Sequence, residues 1–340
     1  MIVNSRGETT VVGVGSAGIK IVSLLSRKPL LADRYVYISC DEEDFSTVEP
    51  EDMLLVESPV DQKLTPAIAR GLALRRIGSI RDAIGSSKLV FIVAGLGGAT
   101  GSGLAPLVAS LAGECGAAPV GVAVMPFEFE KKMKFYAGVS LRRLRASSRG
   151  VVVIDNDILM HSSSEDSTLA TLYDSANKAA VKALGSLLSS AAARPLGLNK
   201  LLGTVLQDGY ALLGVSSSAT EDRAEDALAG AVVSLGKLAE TKEASRAVVS
   251  LNGDSTLSVK EVGLAVDRLG SLMDNEGVDV EYGVDETGSA QLQVSVLASG
   301  FRSTKYDDYD PVAKVLGDRV LDDEMDAALP EGLEALQPCD

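Results

Sequence analysis

Five of the nine residues from Gly95 to Gly103 are glycine. They follow an apolar run, Leu89 to Ala94, that reads as a buried strand, and they lead into Leu104–Ala112, which reads as a helix. As a plain connector, such a loop would lose backbone entropy with nothing to offset it. A strand that feeds a glycine turn and then a helix does something else. It brings backbone N–H groups and a positive helix end close to an anion, with no Cβ in the way. Thr100 and Ser102 add hydroxyl donors to the same loop.

A second loop of this kind comes earlier. Gly13-Val14-Gly15-Ser16-Ala17-Gly18 completes a G-x-G-x-x-G between the strand Thr9–Val14 and a helix over Ile19–Ser26. Tyr35–Ser39 is a further strand, and Asp41 follows where a dinucleotide fold keeps its ribose-binding acid. Alone, this loop supports a nicotinamide cofactor, or a packing turn with no ligand. The loop at Gly95–Gly103 shifts the balance, because a di- or triphosphate needs the additional donors and a dinucleotide does not.

Val120–Val124 and Val151–Ile154 are more short apolar strands. Strand, turn and helix in series predict an α/β fold, a doubly wound parallel sheet with ligands beyond the carboxyl ends of its strands. Aromatic residues are only 4% of the chain and Trp is absent, so the core must be aliphatic. Leu169–Ala193 predicts one long helix, ending before Pro195. The remainder reads as a smaller α+β domain: helix at Glu221–Leu238, strand at Ala247–Leu251 and helix at Val259–Met273. Val278–Val284 and Gln291–Ala298 are expected to pair as a hairpin. The division expected is 1–168 for the nucleotide domain, 169–194 for the connecting helix, 195–301 for the α+β domain and 302–340 for a flexible acidic tail.

The net charge of −15 argues against nucleic acid as a partner. Lys131, Lys132 and Lys134 are too few to form a basic stripe. Cys40, Cys115 and Cys339 have neither metal-ligand nor disulfide spacing, and no run is long and apolar enough to span a bilayer. A cytoplasmic setting is expected.

Gly97-Gly98-Ala99-Thr100-Gly101-Ser102-Gly103 resembles the G-G-G/A-T-G-S/T-G signature of the tubulin/FtsZ superfamily. The resemblance runs over roughly residues 9 to 301, closest in pattern to a divergent FtsZ-like protein. It implies a guanine nucleotide, GTP or GDP, with Mg2+ held by phosphates and water. It also implies a cytoskeletal chain that self-associates head to tail into filaments, or that partners another FtsZ-like subunit. The residues it assigns to the nucleotide are Gly13, Gly15, Ser16, Ala17, Gly18, Lys20, Asp41, Gly97, Gly98, Ala99, Thr100, Gly101 and Ser102. By the same resemblance, Glu130 in Pro126-Phe127-Glu128-Phe129-Glu130 meets the ribose, with Lys134 where the family has Arg. Asn156 in Asp155-Asn156-Asp157 meets the base, Tyr173 stacks on guanine and Asn177 bonds its edge. Each has a plainer reading: Tyr173 as a core or edge residue, Glu130 and Asn177 as solvated polar groups, Asn156 as a strand terminator.

Two departures bear on hydrolysis. The family's catalytic loop after the central helix carries acids that polarise water. Here no Asp or Glu occurs from Ser175 to Gln207. Asn199 and Lys200 occupy that stretch, and Asp208 comes late. Between Ile19 and Arg70 there is no glycine, so the loop that would sense a γ-phosphate, Glu57–Thr65, is not glycine-rich. The expectation is nucleotide binding with weak or absent hydrolysis in homopolymers. A nucleotide-binding regulator or scaffold that does not polymerise is the alternative.

Overall fold

The computed structural model describes residues 9–28, 32–46, 48, 53–57, 63–159, 168–188, 198–207, 209–286 and 291–310. In its first half, β1 (Thr9–Val14), β2 (Arg34–Ser39), β3 (Met53–Leu55), β4 (Leu89–Gly95), β5 (Ala118–Met125) and β6 (Gly150–Asp155) are all parallel. Their order is β3-β2-β1-β4-β5-β6. The order reverses between β1 and β4, and there the carboxyl ends of two adjacent strands diverge into separate connections and leave a crevice. Both glycine loops open at this point.

Helices cover both faces, as strands buried on both sides require. On one face lie α1 (Gly15–Leu25), α7 (Leu169–Leu188) and α8 (Leu198–Val205), packed on Val11, Phe91, Val122 and Val152. On the other lie α2 (Pro66–Leu74), α3 (Ile77–Ile84), α4 (Ala99–Glu114) and α5 (Lys131–Ser147), packed on Val12, Ile38, Ile92 and Val153. A single turn, α6 (Asn156–Leu159), follows β6. Both glycine-loop helices begin earlier than their apolar periodicity indicates. The loops are themselves the first turns of α1 and α4.

The sheet continues through a narrow seam. β6 pairs with β7 (Tyr210–Ser218) at Val152–Ala211 and Val153–Leu212. Beyond it come β10 (Leu292–Phe301), β8 (Arg246–Gly253) and β9 (Asp279–Glu286), with α9 (Arg223–Gly236) and α10 (Val259–Leu272) packed into the same core as α2–α5.

The expected hairpin does not form. β9 pairs in parallel with β8, reached through the α10 crossover, while β10 lies antiparallel between β7 and β8. Burial explains the difference: β10 is buried on both faces along nearly its whole length and needs a neighbour on each side, whereas β9 is half-exposed at the edge. A second correction concerns the segment after β10. Residues 302–310 are not a loose tail. They form a packed turn, Lys305–Tyr309 being 3₁₀, with Thr304, Tyr306 and Asp310 buried. The acidic stretch from 311 onward, the end of the long helix beyond Leu188 and Asp208 lie outside the described residues.

Candidate functional site

The N-termini of α1 and α4 converge at the crevice. The first N–H groups of a helix have no intrahelical acceptor, so an N-cap side chain or an acid in the first turn normally answers them. Some helices follow that rule: Thr65 caps α2, Ser258 with Glu261 forms a capping box on α10, and α9 has acids in its first turn, whereas α3 and α5 have neither feature. At α1 and α4 the N-cap residues are Val14 and Gly98, neither helix has a capping side chain, and neither has an acid in its first turn. Two uncapped positive ends facing one space favour an anion between them.

The glycines divide into two kinds. A Cβ on Gly18 would lie 2.2 Å from the Val93 carbonyl oxygen, and one on Gly13 would lie 2.8 Å from that of Gly18. These two let α1 sit directly on β1 and β4 and do not line the cavity. Gly101 plays the same part for the second loop, since its Cβ would stand 2.1 Å from the Gly95 oxygen. Gly15 has φ +68° and Gly97 has φ +104°, backbone conformations that favour glycine. Gly98 has no atom within 4 Å of its added Cβ and faces open space.

The cavity is about 850 Å3 and open on one side, a size suited to a nucleotide. Gly15, Ser16, Ala17, Lys20, Asp41, Gly98, Ala99, Thr100, Gly101, Glu130, Asn156, Tyr173 and Asn177 line it. Gly13, Gly18, Gly97, Ser102 and Lys134 do not. Ser102 is buried and its hydroxyl accepts the Gly97 N–H at 2.8 Å, so it staples the loop. Lys134 pairs with Glu128 and lies over the Tyr309 ring, 5.1 Å from its centroid. Asn199 and Lys200 lie on α8, away from the cavity, where Lys200 is paired with Glu281 of β9.

The far wall is built from side chains. Glu130 accepts the Phe127 N–H at 2.8 Å with one oxygen and the Tyr173 hydroxyl with the other. Tyr173 is also edge-on to Phe127, with centroids 5.5 Å apart. Burial first, then the hydrogen bond to Glu130, pushes the Tyr173 phenol up to about 12. Asn156 and Asn177, each mostly buried, enter from α6 and α7. Asp41 lines the rim while its Oδ1 accepts the Glu43 N–H at 3.0 Å. Beside it Cys40 is buried. Burial pushes its thiol up, and the Thr100 hydroxyl pulls it back down.

Sequence reasoning missed Asp44, Leu64, Met133, Asp174 and Lys178, all on the cavity wall. Asp174 and Lys178 were within reach of a periodicity argument: each neighbours an assigned residue on α7, and they pair i to i+4 at 3.9 Å. No sequence signal marked Leu64 or Met133. Among the described residues no helix is long and apolar enough to cross a membrane.

Comparison with known proteins agrees with this fold. The model of the Tubulin/FtsZ family, GTPase domain, matches residues 8–164. The cell division protein FtsZ of Buchnera aphidicola subsp. Schizaphis graminum is 30% identical over 312 residues, spanning 88% of this chain and 80% of that protein. The empty FtsZ dimer of M. jannaschii is similar in structure, with a TM-score of 0.75 at 25% identity, covering 87% of this chain and 89% of the other. GDP-form TubZ protofilaments of Bacillus thuringiensis serovar israelensis share the fold at 14% identity, with a TM-score of 0.67 over 96% of this chain and 94% of theirs.

Proposed function

Because the chain belongs to the tubulin/FtsZ family, we propose that it is a cytoskeletal protein that holds GTP or GDP in the cavity between α1, α4 and α7 and assembles head to tail into filaments. The observation that carries this reading is the pair of uncapped helix N-termini meeting at one cavity. The phosphates lie on the N–H groups of Gly15–Ala17 and Gly98–Gly101, with Lys20 near their charge. The ribose lies against Glu130. The base lies against Tyr173, with Asn156 and Asn177 at its edge. Among the described residues no three His, Cys, Asp or Glu side chains gather as a metal site. The proposal therefore assigns Mg2+ to phosphate oxygens and water. The domain division proposed is 1–168, 169–194 and 195–301.

Hydrolysis in such a filament is slow or absent. From Ser175 to Gln207 no carboxylate is present to orient an attacking water. The missing carboxylates also suit a second reading, a nucleotide-bound regulator that does not polymerise.

Phosphate release and light scattering with GTP and Mg2+, followed over a series of protein concentrations, test both. Scattering without turnover is expected. Turnover that rises with concentration overturns the missing-acid argument, and nucleotide binding without scattering selects the regulator.

A further inference from the structure

We propose that Lys305 and Tyr306, in the turn after β10, are positioning residues that fix Asn156 at the nucleotide cavity from the far half of the molecule. The part of this that concerns nucleotide rests on the guanine-nucleotide reading above.

Asp155 ends β6, immediately before Asn156. Its side chain is 1% exposed, and a buried carboxylate is costly unless it is paired and hydrogen-bonded. Its Oδ1 accepts the Ile158 N–H at 3.1 Å, which closes the α6 turn that carries Asn156. Its Oδ2 receives the Lys305 ammonium at 2.6 Å and the Tyr306 hydroxyl at 2.8 Å. Lys305 thus joins two halves. Its backbone N–H donates to the Leu238 carbonyl just past α9 at 2.8 Å, while its side chain neutralises Asp155 on β6.

The rest of the turn completes a ring around the cavity wall. Tyr306 packs edge-on to Tyr309 at 5.4 Å, and Lys134 of α5 lies over the Tyr309 ring. Lys134 pairs with Glu128, whose N–H donates to Asp157 Oδ2 at 2.9 Å. Asp310 is held by Arg142 of α5 at 3.1 Å. Gly138 lets the turn approach α5, since a Cβ there would lie 2.7 Å from the Tyr309 backbone. The two residues flanking Asn156 are therefore both anchored to groups that meet this turn.

The test uses the full chain. Native-state hydrogen exchange without nucleotide follows the Ile158 and Glu128 amides in wild type, Lys305→Met, Tyr306→Phe and Lys305→Arg. Lys305→Met is expected to speed both by about tenfold or more while the β1 and β4 amides keep their rates. Tyr306→Phe has a smaller effect in the same direction, and Lys305→Arg stays within about twofold, because it keeps the charge. GDP affinity is measured on the same proteins and on Asn156→Ala and Lys305→Met/Asn156→Ala. Lys305→Met is expected to weaken GDP about tenfold, and to add nothing once Asn156 is gone. Unchanged amide rates in Lys305→Met, or a loss that adds fully to that of Asn156→Ala, overturn the proposal. A wild-type protein that ignores guanine nucleotides removes the functional reading alone, and the exchange result still decides the positioning. Should Lys305→Met fail to fold, Tyr306→Phe against Lys305→Arg carries the same comparison.

Discussion

At the scale of single residues, two glycines of similar appearance have opposite roles. Gly18→Ala forces a methyl to within 2.2 Å of the Val93 oxygen, a backbone atom that cannot step aside. We expect it to cost about 3 kcal/mol or more in denaturant unfolding. Gly98→Ala meets nothing, so its stability should stay within about 1 kcal/mol of wild type. Gly98 lines the cavity, however, and nucleotide affinity should fall. Equal melting of the two variants would refute the division into packing and cradle glycines. Tyr173 gives a third prediction. Its pKa is raised from 10.0 to about 12, so the folded state favours the neutral phenol. That contribution is complete below pH 10 and fades as pH rises toward 12. The phenolate absorbance of wild type minus Tyr173→Phe should show one group titrating near pH 12; a difference curve centred at pH 10 contradicts both the burial of the phenol and its bond to Glu130.

At the scale of elements, α10 is held by a cap that also serves its neighbour. Ser258 and Glu261 cap each other's backbone, and Glu261 receives Arg223 of α9 at 2.7 Å. Ser258→Ala should cost about 1 kcal/mol by urea denaturation, the usual worth of a cap. Glu261→Ala should cost more, because it removes the cap and takes from mostly buried Arg223 the carboxylate 2.7 Å away. The reverse ranking would show that the α9–α10 contact is apolar in origin. The elements legible in the sequence are those whose apolar runs signal locally: β1, β2, β4, β5, β6, β8, α1, α4, α7, α9 and α10. The pairing of β9 and β10 was not legible, because adjacency in sequence favours a hairpin and only burial on both faces of β10 reveals its two partners. The cradle was legible because glycine spacing maps directly onto backbone geometry. Ser102 and Lys134 were not, because a donor's side-chain partner depends on neighbours far along the chain. For Lys134 these include Tyr309.

At the scale of the whole molecule, one sheet runs through two bodies. β10 shares a long ladder with β7 and with β8, but among the described residues β6 meets β7 at only two residue pairs. Hydrogen exchange at increasing urea should therefore resolve two cooperative units, β1–β4–β5 on one side and β7–β10–β8 on the other. A single opening energy for both groups would show that the seam is stronger than its pairing. The turn at Lys305–Tyr309 bridges that seam from outside. The contact of Gly18 with Val93 has a consequence for any nucleotide cycle. With no side chain between them, α1 and β4 have no slack, so the cradle is a fixed datum against which other parts are measured. News that a phosphate has left cannot travel by the cradle giving way. It is left to the walls built from side chains, Leu64 on one and Tyr173 with Glu130 on another, much as a clock's hands move while its dial stays still.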